Sequence, residues 1–318
     1  MDLKNKKILY ELDKDSRQSN KQIAKKVRLS EQVIGNRIKN LIDNKVIEYF
    51  YVKTNPSLLN YIHVKIYLRL HNITEQKELE LINELNIKDK IFWLASLRGK
   101  YDIEISIYIK NISEFSKVYE EIFSKYGDYI LERNIVILEK ASTYTKAHLV
   151  PNYKPEEIVY TKTSDSNIEL DDTDSNLLKI LNKGGRKPLI EIARDLNLSP
   201  DTVKYRINNL KNKGVITGFG VKIDFNKLNN NYNIITFKLQ NMNKEKYSKF
   251  EALSKLNKNA IIFMKTIGDH DIELEVETSN KEELDKLMKS IRDNFITEIK
   301  DYEILEVTRE HRMTYYPF

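Results

Sequence analysis

The chain has 318 residues, 41% of them hydrophobic, with a net charge of +6 and no cysteine. That hydrophobic share supports packed cores, whereas the lack of cysteine excludes disulfides, thiolate metal sites and cysteine nucleophiles. No apolar run reaches the roughly 18 residues of a membrane span, and the polar N-terminus has no signal-peptide core, which points to a cytoplasmic protein of two or more domains.

Residues 1–53 hold 13 Lys/Arg against 7 Asp/Glu. Their apolar positions have helical spacing: Ile8, Leu9 and Leu12, then Ile23, Ala24 and Val27, then Ile34, Ile38 and Leu41 behind Ser30 as a helix cap. Three short helices with a tight turn between the last two describe a helix-turn-helix. The spacing then predicts strands at 61–70, 91–97, 101–109 and 134–140, with helices at about 74–86 and 113–126. This is the β-α-β-β-α-β order of a ferredoxin-like domain, placed at residues 60–140. The sheet face away from the helices carries Tyr61, His63, Lys65, Tyr67 and Arg69 on one strand, and Asp102, Glu104 and Tyr108 on another. A polar face so rich in aromatics predicts pairing with a second sheet. Residues 141–169, with two prolines and a Ser/Thr/Asn/Asp-rich end, read as a linker.

Beyond the linker everything recurs at an offset of 169 residues without a gap. RLSEQVIGNRIKNLIDNKVIEYFYV at 28–52 lies over NLSPDTVKYRINNLKNKGVITGFGV at 197–221, and Gly99-x-x-Asp102-Ile103-Glu104 lies over Gly268-x-x-Asp271-Ile272-Glu273. A repeat this long is a duplicated multi-element unit rather than a solenoid. The second helix-turn-helix occupies 170–222, with 10 Lys/Arg against 6 Asp/Glu, and begins its third helix at Ser199-Pro200. The second sheet domain occupies 230–318, with strands at 232–240, 260–267, 270–278 and 301–309. Two basic modules on a slightly acidic body suggest a polyanionic partner.

A helix-turn-helix places its second helix in the DNA major groove. Off the buried stripe, that helix carries Gln32, Asn36 and Lys39 in copy 1, and Thr202, Lys204, Tyr205 and Asn208 in copy 2. Differences between the copies concentrate there while the apolar frame is retained, so one frame serves two readers of double-stranded DNA. Gln and Asn suit adenine and Lys suits guanine. Arg37 and Arg206, the same in both copies, suit a phosphate contact or an ionic bond inside the module. Gly35, in mid-helix, weakens the first reader. The glycine turns have two readings: a hairpin with Gly99 and Gly268 at positive φ, or a ligand loop. Asp102/Glu104 and Glu273/Glu275/Glu277, at a period of two, form one polar strand face rather than catalytic pairs. The five histidines show no metal-ligand spacing, so no metal or cofactor is expected.

With L-S-x-x-x-V-x-x-R-I-x-x-L-x-x-x-G-V-I at 198–216 ahead of β-α-β-β-α-β with G-x-x-D-I, each copy resembles the Lrp/AsnC family of transcription regulators. The resemblance implies an α+β fold, with a winged-helix-type DNA-binding domain followed by a ferredoxin-like regulator-of-amino-acid-metabolism (RAM) domain in each copy. It further implies a non-enzymatic regulator whose RAM domains pair within the chain or between chains. An amino-acid effector would sit near Gly99, Tyr101 and Asp102 and near Gly268, His270 and Asp271. Two departures stand out: Lys45 replaces the glycine kept at Gly214, and His270 replaces the aromatic kept at Tyr101. Siroheme decarboxylases share the two-part architecture and supply the alternative, a tetrapyrrole enzyme.

Overall fold

The computed structural model describes residues 1–162, 167–314 and 316, with backbone alone for 158–162. Copy 1 opens with α1 (Leu3–Lys14), α2 (Asn20–Val27) and α3 (Glu31–Asp43), and copy 2 with α6 (Asp172–Lys183), α7 (Leu189–Leu196) and α8 (Pro200–Asn212), numbering the two intervening helices given below. Side-chain caps fix where these helices start. Asp2 and Asp171 cap α1 and α6, and Ser30 and Ser199 cap α3 and α8, with Pro200 in the first turn. Such caps each contribute about 1 kcal/mol.

Each helix triad runs into one strand, β1 (Ile47–Thr54) or β7 (Ile216–Ile223), and these two pair antiparallel into a separate sheet. The far end of each strand crosses to the other copy, while Ile47 and Ile216 at the near ends stay in the cores of their own triads. Val221 and Ile223 from β7 pack into the core of the first triad with Ile8, Leu9 and Ile34. Val52 from β1 packs into the second with Leu177, Leu178 and Val203. A fully buried aliphatic side chain contributes about 1.5–3 kcal/mol, so the crossing residues bind the triads into one body.

The rest of copy 1 is β2 (Ile62–Leu70), α4 (Glu75–Ile87), β3 (Ile91–Arg98), β4 (Ile103–Ile109), α5 (Ile112–Tyr126), β5 (Ile130–Tyr144) and β6 (Glu157–Lys162). Copy 2 answers with β8 (Asn231–Leu239), α9 (Lys244–Leu256), β9 (Ala260–Gly268), β10 (Ile272–Thr278), α10 (Lys281–Asn294) and β11 (Ile299–Met313). The β-α-β-β-α-β order read from the sequence stands in both copies. The expected sheet-to-sheet pairing takes a specific form. β3 pairs with β11 and β5 with β9, so two four-stranded sheets join edge to edge, and the β2–β5 pairing closes a barrel of β5-β2-β4-β3-β11-β8-β10-β9. Closure leaves neither sheet a free edge. Strands β5 and β11 run to Tyr144 and Met313, well past the expected ends at 140 and 309, because each extends onto the other copy.

Residues 141–169, read above as a linker, are largely built into the fold. Ala141–Thr143 pair with both β9 and β6. Leu149 and Val150 then enter the core of the first triad, with Tyr153 against it, while Ile168 and Leu170 pack on the second. The proline and Ser/Thr/Asn/Asp composition masked these few apolar anchors.

Candidate nucleic-acid interface

On α3, Gln32, Asn36 and Lys39 fall at i, i+4 and i+7, so they share one helix face, and all three are exposed. On α8, Lys204, Tyr205 and Asn208 are exposed, with Tyr205 open over 70% of its surface. Thr202 is half-buried, its Oγ1 lying 2.8 Å from the capping Ser199 Oγ. Among the described residues neither Lys39 nor Lys204 has an acid at ion-pair distance. Both are therefore cations without an acidic partner among the described residues.

Arg37 and Arg206 are placed differently. Asp2 caps α1 with Oδ1, accepting from Asn5 N at 2.7 Å, and accepts from Arg37 Nη1 with Oδ2 at 2.7 Å; Asn5 Oδ1 takes a second bond at 2.8 Å. Asp171, Asp174 and Arg206 repeat the arrangement with both guanidinium contacts at 2.8 Å. The arginine hydrogen bonds hold the Asp2 and Asp171 carboxyls below their usual range. These contacts pin the third helix to the start of the first.

The two helix-turn-helix triads are joined by a reciprocal clasp. Arg17 donates to the Gly185 and Lys187 carbonyls at 2.9 and 3.3 Å and lies 5.1 Å from the Phe219 ring. Arg186, its counterpart at offset 169, donates to the Ser16 and Gln18 carbonyls and to Asn20 Oδ1, and lies 5.8 Å from the Phe50 ring. The backbone joins in symmetrically, with Ser16 N bonded to Phe219 O at 3.1 Å and Gly185 N to Phe50 O at 2.8 Å. These residues escaped the sequence reading. The signal was present: Arg17/Arg186 and Phe50/Phe219 are identical pairs at the repeat offset, on no helix stripe.

The two glycine turns are hairpins. Gly99 and Gly268 have φ of 143° and 147°, and a Cβ on either would run into the opposite copy, at Ile304 O (3.0 Å) or Ile135 O (2.5 Å). Asp102 accepts from Leu70 N and Asp271 from Leu239 N, both at 2.7 Å. Tyr101 is buried and donates to Glu132 at 3.2 Å. His270 is buried inside the barrel, 3.4 Å from Glu273. Gly99, Asp102, Gly268 and Asp271 thus shape the two turns, and Tyr101 and His270 are buried beside them.

Of the alternating acids, Glu104, Glu273, Glu275 and Glu277 form one buried polar face that points into the barrel. Lys65 sits among Glu104 (3.0 Å), Glu275 (3.4 Å) and Glu273, while Tyr67 donates to Glu273 at 2.6 Å and Tyr232 donates to Glu275. Ser106 links Glu104 (3.0 Å) to His63 (3.2 Å). Burial outweighs the lysine for Glu104 and Glu275, raising their carboxyls to about 8 and about 7. For Glu273 burial is overcome by Lys65 and His270, and its carboxyl is lowered. Burial also lowers the His63 imidazole to about 3, so it is neutral. Glu104 and Glu273 are repeat counterparts, but Lys65 faces Ile234 at that offset. The cluster is thus a junction between unlike halves. No group of three metal-ligand side chains occurs among the described residues, nor does any helix there suit a membrane span.

Winged helix-turn-helix DNA-binding is the family that matches residues 1–48 and 170–217. The HTH-type transcriptional regulator FL11 of Pyrococcus furiosus is 36% identical over 124 residues, 38% of this chain and 80% of that protein. FL11 of Pyrococcus horikoshii is 32% identical over 149 residues, 46% of this chain and 95% of its own length. Among solved structures, the siroheme decarboxylase NirDL matches 98% of this chain and 92% of its own with a TM-score of 0.63 at 14% identity, which is a likeness of fold.

Proposed function

Since the chain belongs to the Lrp/AsnC family of helix-turn-helix transcriptional regulators, two copies of it in tandem, we propose that one chain binds a pair of inverted, unlike half-sites on duplex DNA. The observation that carries this reading is the clasp around β1 and β7. It relates α3 and α8 by an approximate two-fold axis while their exposed residues differ. A two-fold pair of readers fits half-sites about 10 base pairs, or a multiple of that, apart. Gln32, Asn36 and Lys39 face one half-site, and Thr202, Lys204, Tyr205 and Asn208 the other. Arg37 and Arg206 act by holding the reading helices.

The test is fluorescence anisotropy of the purified chain on its own upstream region and on random duplex, at two salt concentrations. Affinity well above random, falling as salt rises, supports the reading, and site selection should then return an asymmetric pair. Equal, weak binding to both duplexes removes it.

The fold likeness to NirDL motivates a second reading, a tetrapyrrole enzyme. The polar groove of about 460 Å³ lined by Lys183, Lys222, His311 and Arg312, with Glu48 and Glu310 beside them, is the candidate seat for a polyanionic macrocycle. Two of its cations are already engaged, Lys222 by Glu310, and Arg312 by the Asn86 and Lys88 carbonyls at 2.7 and 2.9 Å. A siroheme titration decides: a shifted, saturable absorbance band with turnover would establish the enzyme, and an unperturbed spectrum would dismiss it.

A further inference from the structure

A cavity of about 140 Å³ lies where the barrel meets β1, walled by aromatic and aliphatic side chains with His63, Lys65, Ser106 and Glu275 among them. Its polar wall includes Lys53, which is buried, and whose Nζ donates to Asp13 O at 2.7 Å. Among the described residues no carboxylate lies within ion-pair distance of Lys53; Asp13 and Asp15 act on it from further off, and burial lowers its pKa. Burying a cation without a counter-ion is costly.

The other half of the pseudo-dimer shows how that cost is removed. At offset 169 the counterpart of Lys53 is Lys222. Lys222 is neutralised by Glu310, whose other oxygen accepts from Trp93 Nε1 at 2.8 Å. The counterpart of Glu310 is Ala141 and that of Trp93 is Ile262. Both Ala141 and Ile262 line the cavity beside Lys53. Where one side has a carboxylate, the other has a methyl group and empty volume.

We propose that the cavity binds a small hydrophobic monocarboxylate whose carboxyl group pairs with Lys53 as Glu310 pairs with Lys222. A cavity of about 150 Å³ holds a benzene-sized molecule, so the ligand is a single-ring or branched short-chain acid. The carboxyl on the wall, Glu275, is already engaged by Lys65 and Tyr232. The ligand would join β1, which holds the readers together, to the barrel. This inference goes beyond DNA binding and is tested without DNA.

Trp93, the single tryptophan of the chain, lines the cavity and reports on it. Benzoate and isovalerate are titrated against the full chain by tryptophan emission and calorimetry, with benzamide and isovaleramide as neutral counterparts. The expected result is saturable binding of an acid, at least about tenfold tighter than its amide, and lost in Lys53→Met. Ala141→Glu supplies the missing carboxylate from within. It should abolish acid binding and raise the melting temperature, which keeps the test decisive if Lys53→Met fails to fold. Absence of saturable binding, equal affinity for acid and amide, or unchanged binding in Ala141→Glu overturns the proposal.

Discussion

Arg17 and Arg186 stand 169 residues apart and each holds the other's reader, by bonds to Gly185 and Lys187 in one direction and to Ser16, Gln18 and Asn20 in the other. Both arginines are half-buried, and burial lowers the pKa of each. Each is also closed over by a phenylalanine ring of β1 or β7.

Replacing Arg186 by Ala strands the Ser16 and Gln18 carbonyls. A buried acceptor left without a donor costs about 1–3 kcal/mol, so Arg186→Ala should lower the melting temperature by several degrees. It should weaken binding to a paired site more than binding to an isolated half-site. Equal losses on both duplexes would mean that the clasp does not set the spacing of the readers.

Lys204→Ala and Tyr205→Ala should change which sequences are preferred, because these exposed side chains have no structural partner to lose. Arg206→Ala removes a partly exposed ion pair with Asp171 and Asp174, worth about 1 kcal/mol or less. It should reduce stability slightly and shift affinity equally for all sequences. Binding-site selection with each variant separates the two behaviours; a preference altered by Arg206→Ala would show that this arginine reads bases.

Lys45 occupies the left-handed conformation (φ 55°) after α3, where the second copy has Gly214 at φ 75°. A non-glycine residue there costs about 1–2 kcal/mol. Lys45→Gly should therefore stabilise the protein by about 1 kcal/mol in denaturant unfolding, and an unchanged or lower midpoint would show that the strain is compensated locally.

The barrel cluster predicts a pH dependence of opposite sign to ordinary acid denaturation. Glu104 and Glu275 have carboxyls raised by burial to about 8 and about 7, so the folded state binds more protons than the unfolded state above about pH 4.5. Their contribution to stability must fall as pH rises toward 8. Glu104→Gln should flatten the decline and gain most at pH 8, read as melting temperature at pH 5.5 and 8. A steeper decline in the variant would contradict the assignment.

Much of this fold was legible because it depends on local periodicity. Ile34/Ile38/Leu41 and Val203/Ile207/Leu210 fix the third helices, and alternating Ile103, Ile105 and Ile107 mark a core strand. The unlike faces of α3 and α8 were legible because a duplicated sequence is its own comparison. Barrel closure was only half visible: the aromatic polar face announced a partner, but nothing local shows that Lys65 meets Glu273, 208 residues away. The exchange of β1 and β7 was hidden altogether, since Val52 would suit either core equally well. Arg37 and Arg206 show the limit of reading a charge by type: the same guanidinium serves a phosphate or an aspartate, and nothing local shows that Asp2 and Asp171 lie beside them.

The exchanged strands also have a consequence for inheritance and for dilution. In a symmetric dimer of separate chains, any change to the reading helix alters both half-sites at once, and assembly fails below the dissociation constant of the pair. Here β1 and β7 belong to one polypeptide, so a substitution in α8 leaves α3 as it was. If each helix reads its own half-site, as proposed, the two specificities can drift apart one codon at a time, and the pair stays together at any dilution.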